Sequence, residues 1–259
     1  PRGKTIVVGA GKAASQMAAA FEDLWEGPAE GVVVDRHGPV ARTQAIKVMQ
    51  AAHPVPDRAG VAASAALFDA VKGLTEDDLV VALISGGGSS LLPCPAGDLS
   101  FEDEVVVNRA LLTSGAPIAA MNVVRKHVSG IKGGRLAAAA HPARVVSLIV
   151  SDVAGDDPAM VASGPTVPST GSAADALAIV RDYGMVLPDA VIAHLTAGAE
   201  TPDPADQIFA RNSVHVIASA GVSLEAAAQA ARAHGIDAAI LSDAIEGEAR
   251  EVGKVHAAI

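Results

Sequence analysis

The sequence predicts an α/β fold: a doubly wound, mostly parallel, Rossmann-like sheet with helices on both faces. Three observations carry that prediction. Short apolar runs recur along the 259 residues, and runs of this length suit strands buried on both faces. They alternate with amphipathic or alanine-rich stretches, the pattern of right-handed crossovers around a parallel sheet. Two of the runs end in glycine-rich turns, at the strand ends where such sheets bind ligands.

In chain order, strands are expected at Thr5–Val8, Gly31–Val34, Ile46–Gln50, Leu79–Ile84, Val145–Ser151, Val214–Ser219 and Ala238–Leu241. Each is an aliphatic run bounded by turn residues. Helices are expected at Lys12–Trp25, Arg58–Val71, Phe101–Leu112, Ile118–Ala139, Ala173–Asp182, Asp189–Ala197, Ser223–His234 and Glu246–Ala258. Pro54, Pro56, Pro93 and Pro95 punctuate loops, and Glu200-Thr201-Pro202-Asp203-Pro204 reads as an exposed linker.

Composition narrows the function. Half of the residues are apolar but only 2% are aromatic, so the core is aliphatic. The formal charge of −10 argues against a nucleic-acid partner, which wants a basic face. No apolar run is long enough to span a bilayer as a helix, and no signal segment opens the chain. The single cysteine, Cys94, permits no internal disulfide and suits a reducing, cytoplasmic setting. Pro1-Arg2-Gly3 lacks a starting methionine and the last helix has no stop signal, so further chain is expected. A homo-oligomer is left open.

Thr5-Ile6-Val7-Val8 runs into Gly9-Ala10-Gly11-Lys12-Ala13-Ala14, a G-x-G-x-x-A turn, and Asp35 closes the next strand. That is the layout of a dinucleotide site, with a distal acid for a ribose. Lys12 supports another reading. A lysine in the first helical turn adds a point cation where an anion is already favoured. Phosphoryl transfer needs such a charge and hydride transfer does not. The bland alternative is a surface lysine on an ordinary turn.

Leu79–Ile84 runs into Ser85-Gly86-Gly87-Gly88-Ser89-Ser90. Three glycines and three hydroxyls offer backbone N–H groups and small donors to a closely approaching phosphate. The spacing is not that of a Walker loop. Ser89 and Ser90 are also natural helix caps.

Asn122, Arg125, Lys126, His127, Ser129, Lys132 and Arg135 concentrate cations within an acidic chain. Arg125, Lys126 and Lys132 are candidate anchors for a carboxylate or phosphate, with Gly133-Gly134 interrupting the helix. A solvated face is the alternative. After the fifth strand come Asp152, Asp156 and Asp157. Carboxylates there suit Mg²⁺, with Asp156 or Asp157 as the ligand, or receipt of a proton from a substrate hydroxyl. Turn chemistry accounts for one or two of them otherwise. Ser163-Gly164-Pro165-Thr166 is another polar turn with the same two readings. His53, His127 and His141 lack metal-ligand spacing and read as structural or surface residues.

Taken in order, several segments resemble the bacterial and archaeal glycerate 2-kinases that carry a MOFRL-type C-terminal domain, some of which bear the older label of hydroxypyruvate reductase. They are Val7–Ala14, Ala52-His53-Pro54-Val55-Pro56-Asp57, Ser85–Ser90, Val124-Arg125-Lys126-His127, Ile131–Ala137, Ser151-Asp152-Val153, Gly155-Asp156-Asp157 and Ser163–Thr166. The resemblance implies ATP-dependent phosphorylation of the 2-hydroxyl of D-glycerate, with Mg²⁺. It places the catalytic lysine on Lys12, the catalytic aspartate on Asp152 and the nucleotide phosphate contact on Ser85–Ser90, beside Gly9 and Gly11. The glycine-rich motifs of the MOFRL domain do not occur here. Residues 1–259 are therefore expected to form the N-terminal kinase-type domain, with the C-terminal domain absent or truncated. The competing enzyme is an NAD(P)H-dependent hydroxypyruvate reductase using Asp35. A third class is a metabolite-binding sensor.

Overall fold

The structure, a computed structural model, describes residues 1–168, 170–198 and 200–259. Six parallel strands form one sheet: β1 (Thr5–Ala10), β2 (Glu30–Arg36), β3 (Ile46–Ala51), β4 (Leu79–Ser85), β5 (Arg144–Val150) and β6 (Ser213–Ala218). Their order is β3-β2-β1-β4-β5-β6, and every neighbouring pair is parallel. The chain winds outward in one direction, returns, and winds outward in the other. The order therefore reverses between β1 and β4, and a crevice opens at their C-terminal ends.

Both faces are covered, as the aliphatic strands require. On one face α2 (Arg58–Val71) and α6 (Arg135–Ala139) pack Ala63, Leu67, Leu136 and Ala137 against Val8, Val34, Ala82 and Ile149. On the other, α1 (Ala14–Leu24) sets Ala14 and Ala18 against Val7, Val33, Val81 and Leu83. A separate core joins four helices, α4 (Phe101–Thr113), α5 (Ile118–His127), α7 (Ala173–Asp182) and α8 (Asp189–Thr196), through Val107, Leu111, Val124, Val180, Val191 and Leu195. Between β4 and α4 lies the single turn α3 (Gly88–Leu91). The chain continues through α9 (Ala220–Ala233) to α10 (Ala249–Ala258).

Two expectations need correction. The helix expected over Ile118–Ala139 is two helices. It ends at His127, before the glycines, because the backbone leaves to pair with the loop after β4: Gly130 N–H donates to the Cys94 carbonyl and Ala96 N–H to that of Val128. Gly133 and Gly134, at φ of 63° and 85°, then turn the chain into α6. The strand expected at Ala238–Leu241 does not form. That segment pairs with no strand among the described residues, and the Ala238 carbonyl accepts a hydrogen bond from the Arg232 side chain at the end of α9. Apolarity supplies a strand's side chains but not its ladder partners.

A buried ion pair ties α4 to the segment between α5 and α6 and to the loop after α3. Lys132 Nζ donates to Glu104 Oε1 at 2.8 Å, to the Leu92 carbonyl at 3.0 Å and to Ser129 Oγ at 3.4 Å. Glu104 Oε2 accepts the Cys94 N–H at 2.8 Å. Both residues are buried, and each charge is held by several partners. Glu104→Ala, which strands the ammonium, is expected to cost about 3–5 kcal/mol, whereas Glu104→Leu combined with Lys132→Met recovers most of that loss. Urea denaturation of the two variants checks this; equal destabilisation by both contradicts it.

Candidate functional site

The crevice at the strand reversal holds a cavity of about 380 Å³, within the range of small-molecule sites. It is assembled from the C-terminal ends of four strands. β1 supplies Lys12, β3 supplies His53, β4 supplies Gly87, Ser89 and Ser90, and β5 supplies Asp152. From the helical layer come Asn122 and Arg125, and from the short helical turn Val161–Ser163 comes Ser163. Glu246, ahead of α10, borders the same space.

Two turns are stapled together at its floor. Lys12 N–H donates to the Gly86 carbonyl at 2.9 Å, and Ala13 N–H donates to Ser85 Oγ at 3.1 Å. Glycine permits the contact: a Cβ on Gly11 would lie 2.4 Å from the Ser85 carbonyl oxygen, and one on Gly86 would displace the Asp152 carboxylate, at 1.8 Å from its Oδ2. Gly87, at φ of 82°, turns the chain from β4 into α3. The side chains of Lys12 and His53 both close on Gly87, each 3.0 Å from the position a Cβ would take.

Lys12 Nζ donates to Asp152 Oδ2 at 3.0 Å, with both side chains a little under half exposed. Residues 140 apart in sequence thus meet over the cavity. Lys12 lies just ahead of α1, which begins at Ala14, rather than inside its first turn. The α1 N-terminus has no side-chain cap of its own; Ser15 N–H donates instead to Asp35 Oδ2 at 3.0 Å, and Ser15 Oγ to the same oxygen at 2.6 Å. Arg36 N–H takes Asp35 Oδ1 at 2.7 Å. Asp35 is buried, so its carboxylate works as a remote helix cap with both oxygens engaged inside the protein.

The remaining candidates separate by position. Of the Ser85–Ser90 turn, Gly87, Ser89 and Ser90 line the cavity and Ser85, Gly86 and Gly88 do not; Ser89 and Ser90 sit within α3 rather than capping it. Gly9 lies inside β1, where a Cβ would meet the Leu83 carbonyl at 2.3 Å, and the Gly11 N–H is taken by the Val34 carbonyl. These two glycines permit close packing between strands rather than lining the cavity. Of the three cations, only Arg125 reaches it. Lys132 is committed to Glu104. Lys126 is buried beside Asp157, and burial pulls its ammonium below the usual lysine value against the opposing pull of that carboxylate.

Burial also lowers the Arg125 guanidinium, whose Nη1 donates to Asn122 Oδ1 at 3.3 Å and whose Nε is buried without a protein partner among the described residues. Asp156 and Asp157 do not border the cavity, and Asp157 Oδ1 accepts the Ala159 N–H. No cluster of three metal-ligating side chains exists among the described residues. Asp156 Oδ1 is buried without a hydrogen-bond partner among the described residues, which leaves one carboxylate oxygen in this turn for a cation that enters with a phosphate ligand. Among the described residues no helix is long and apolar enough to cross a membrane.

The sequence reading missed His53. It reads as a lone structural histidine, and its one functional signal is its place in Ala52-His53-Pro54-Val55-Pro56-Asp57, a segment that carries the family resemblance. Its imidazole titrates below the ordinary histidine value, first because burial disfavours the charged ring and then because Lys12 and Arg36 repel it; Asp152 opposes.

Residues 1–196 match the family model described as "Domain of unknown function (DUF4147)". The chain is 51% identical over 260 residues to an Agrobacterium vitis protein named "Putative hydroxypyruvate reductase", covering 100% of this chain and 59% of that protein. It is 37% identical over 258 residues to a Thermotoga maritima protein named "D-glycerate 2-kinase", covering 99% of this chain and 60% of the other. The crystal structure of glycerate kinase from Thermotoga maritima superposes with a TM-score of 0.83 at 35% identity, over 99% of this chain and 61% of that one. The chain thus spans roughly three-fifths of the length of these relatives.

His53 offers a direct check on the arrangement. Lys12→Met removes one repelling cation and frees Asp152, so both changes favour the imidazolium. The His53 midpoint, followed by NMR of the ring, is expected to rise in that variant. A fall or no movement places Lys12 away from His53.

Proposed function

The chain belongs to the DUF4147 family, and we propose that it is the phosphate- and substrate-handling domain of an ATP-dependent kinase that phosphorylates the 2-hydroxyl of D-glycerate to 2-phosphoglycerate. The observation that carries the reading is the contact of Lys12 with Asp152 above the β4 glycine turn, at the sheet's strand reversal. The names of the kinase relatives agree with it.

The turn Ser85–Ser90 receives the ATP phosphates, chiefly through backbone N–H groups. Mg²⁺ arrives as part of the nucleotide substrate rather than in a protein cage. Without ligand, Lys12 and Asp152 neutralise each other. The incoming γ-phosphoryl group competes for the ammonium, which then balances charge on its equatorial oxygens. That releases Asp152 to orient the glycerate 2-hydroxyl and take its proton as the oxygen attacks phosphorus and the bond to ADP breaks. Arg125, with its buried unpartnered Nε, anchors the carboxylate. A small-molecule enzyme of this kind needs neither nucleic acid nor membrane, and its unpaired cysteine suits the cytoplasm.

The competing reading is an NAD(P)H-dependent hydroxypyruvate reductase, the activity in the name of the Agrobacterium vitis relatives. It requires Asp35 to hold a ribose. Asp35 is instead buried and bonded to Ser15 and Arg36, which weighs against it.

In the full-length protein, ATP with glycerate is expected to yield ADP, and hydroxypyruvate with NADH to leave the nicotinamide absorbance unchanged. Lys12→Ala is expected to lower turnover at least about 100-fold while the melting temperature holds, because the side chain is partly exposed. Near-normal turnover in that variant removes Lys12 from the chemistry.

A further inference from the structure

The direction of the hydrogen bonds around Asn122 decides what Ser89 can offer the cavity. Asn122 is buried. Its Nδ2 donates to the Met160 carbonyl at 3.1 Å, which fixes the amide so that Oδ1 faces the opposite way. That oxygen accepts from Arg125 Nη1 at 3.3 Å and from Ser163 Oγ at 2.8 Å. A hydroxyl carries one hydrogen, and Ser163 has spent its own on Asn122. The contact between Ser89 Oγ and Ser163 Oγ, at 2.9 Å, therefore has Ser89 as the donor. Its neighbour Ser90 has likewise given its hydrogen, to the Gly87 carbonyl at 3.2 Å.

Both hydroxyls that the α3 turn brings to the cavity thus present lone pairs, not hydrogens. A phosphate oxygen, itself an acceptor, gains nothing from them. A ligand hydroxyl, which has a hydrogen to give, does. The arrangement is held firmly: Ser163 is buried at φ of 60° and Ala162 lies at 53°, a left-handed pair that side chains adopt at a cost and that surrounding contacts must sustain.

We propose that Ser89 is a specificity residue that accepts a hydrogen bond from a second hydroxyl of the substrate, the one on the carbon beyond the phosphorylated position, while Ser163 and Asn122 act as positioning residues. This rests on the kinase reading above, and it narrows the substrate class to small carboxylates bearing hydroxyls on both neighbouring carbons. Arg125 and Ser89 converge on the same amide oxygen network, so the carboxylate anchor and the hydroxyl acceptor are set at a fixed separation. A 2-hydroxy acid without the second hydroxyl leaves Ser89 facing no donor.

The test compares D-glycerate with D-lactate, which differs by that hydroxyl, using calorimetric binding and kcat/KM in the full-length protein and its variants. The wild type is expected to favour glycerate. Ser89→Ala is expected to weaken glycerate about tenfold, the worth of one such bond, and to move lactate less than twofold. Ser163→Gly, which suits the left-handed backbone and removes the oxygen that holds the Ser89 hydrogen, shifts the ratio in the same direction. Equal weakening of both acids, an unchanged ratio, or a loss confined to ATP affinity overturns the proposal. Failure of the wild type to use or bind either acid overturns the kinase reading itself, and that failure appears before any variant is made.

Discussion

The close approach of the β1 and β4 turns governs everything built above them. Where the strand order reverses, two adjacent parallel strands send their connections to opposite faces, and the space between the turns is open. Here the turns draw together until Lys12 N–H meets the Gly86 carbonyl. Gly11 and Gly86 make this feasible, since a Cβ on either collides with Ser85 or Asp152. The result is a cation from β1 and an anion from β5 meeting over a glycine turn from β4. None of the three strands supplies a site alone.

Much of the sheet was legible in the sequence because its strands are buried on both faces and flanked by turn residues. Runs such as Leu79–Ile84 are too short and too apolar for anything else, and the six that formed lie within a residue or two of expectation. The exception, Ala238–Leu241, shows the limit of that signal: four apolar residues satisfy no ladder unless a neighbour lies beside them. The break after His127 was legible only in part. Gly133-Gly134 announced a turn, but the earlier exit of the backbone depends on pairing with the loop around Cys94, a contact between segments more than thirty residues apart.

The site was legible as a set of turns and less so as a set of side chains. Spacing on a helix put Arg125 and Lys126 near Asn122 and Ser129, with Lys132 following, yet it could not tell a cation directed into a cavity from one directed into a core. Lys132 meets Glu104, twenty-eight residues earlier, and Arg125 alone borders the cavity. Asp35 illustrates the same point with the opposite sign. Its position at the end of the second strand fits a ribose ligand, but α1 lacks a cap of its own and recruits it. His53 carried no spacing signal, because what makes it part of the site is the end of a strand that lies two places away in the sheet.

The central claim is that one cavity brings a transferable phosphoryl group between Lys12 and Asp152. A crystal structure of the full-length protein with a non-hydrolysable ATP analogue and glycerate tests it most directly. The account predicts the γ-phosphate within hydrogen-bonding distance of Lys12 Nζ, above Gly86–Gly88, with the Lys12–Asp152 contact opened and the glycerate 2-hydroxyl on Asp152. A nucleotide seated elsewhere, with that contact intact, contradicts it.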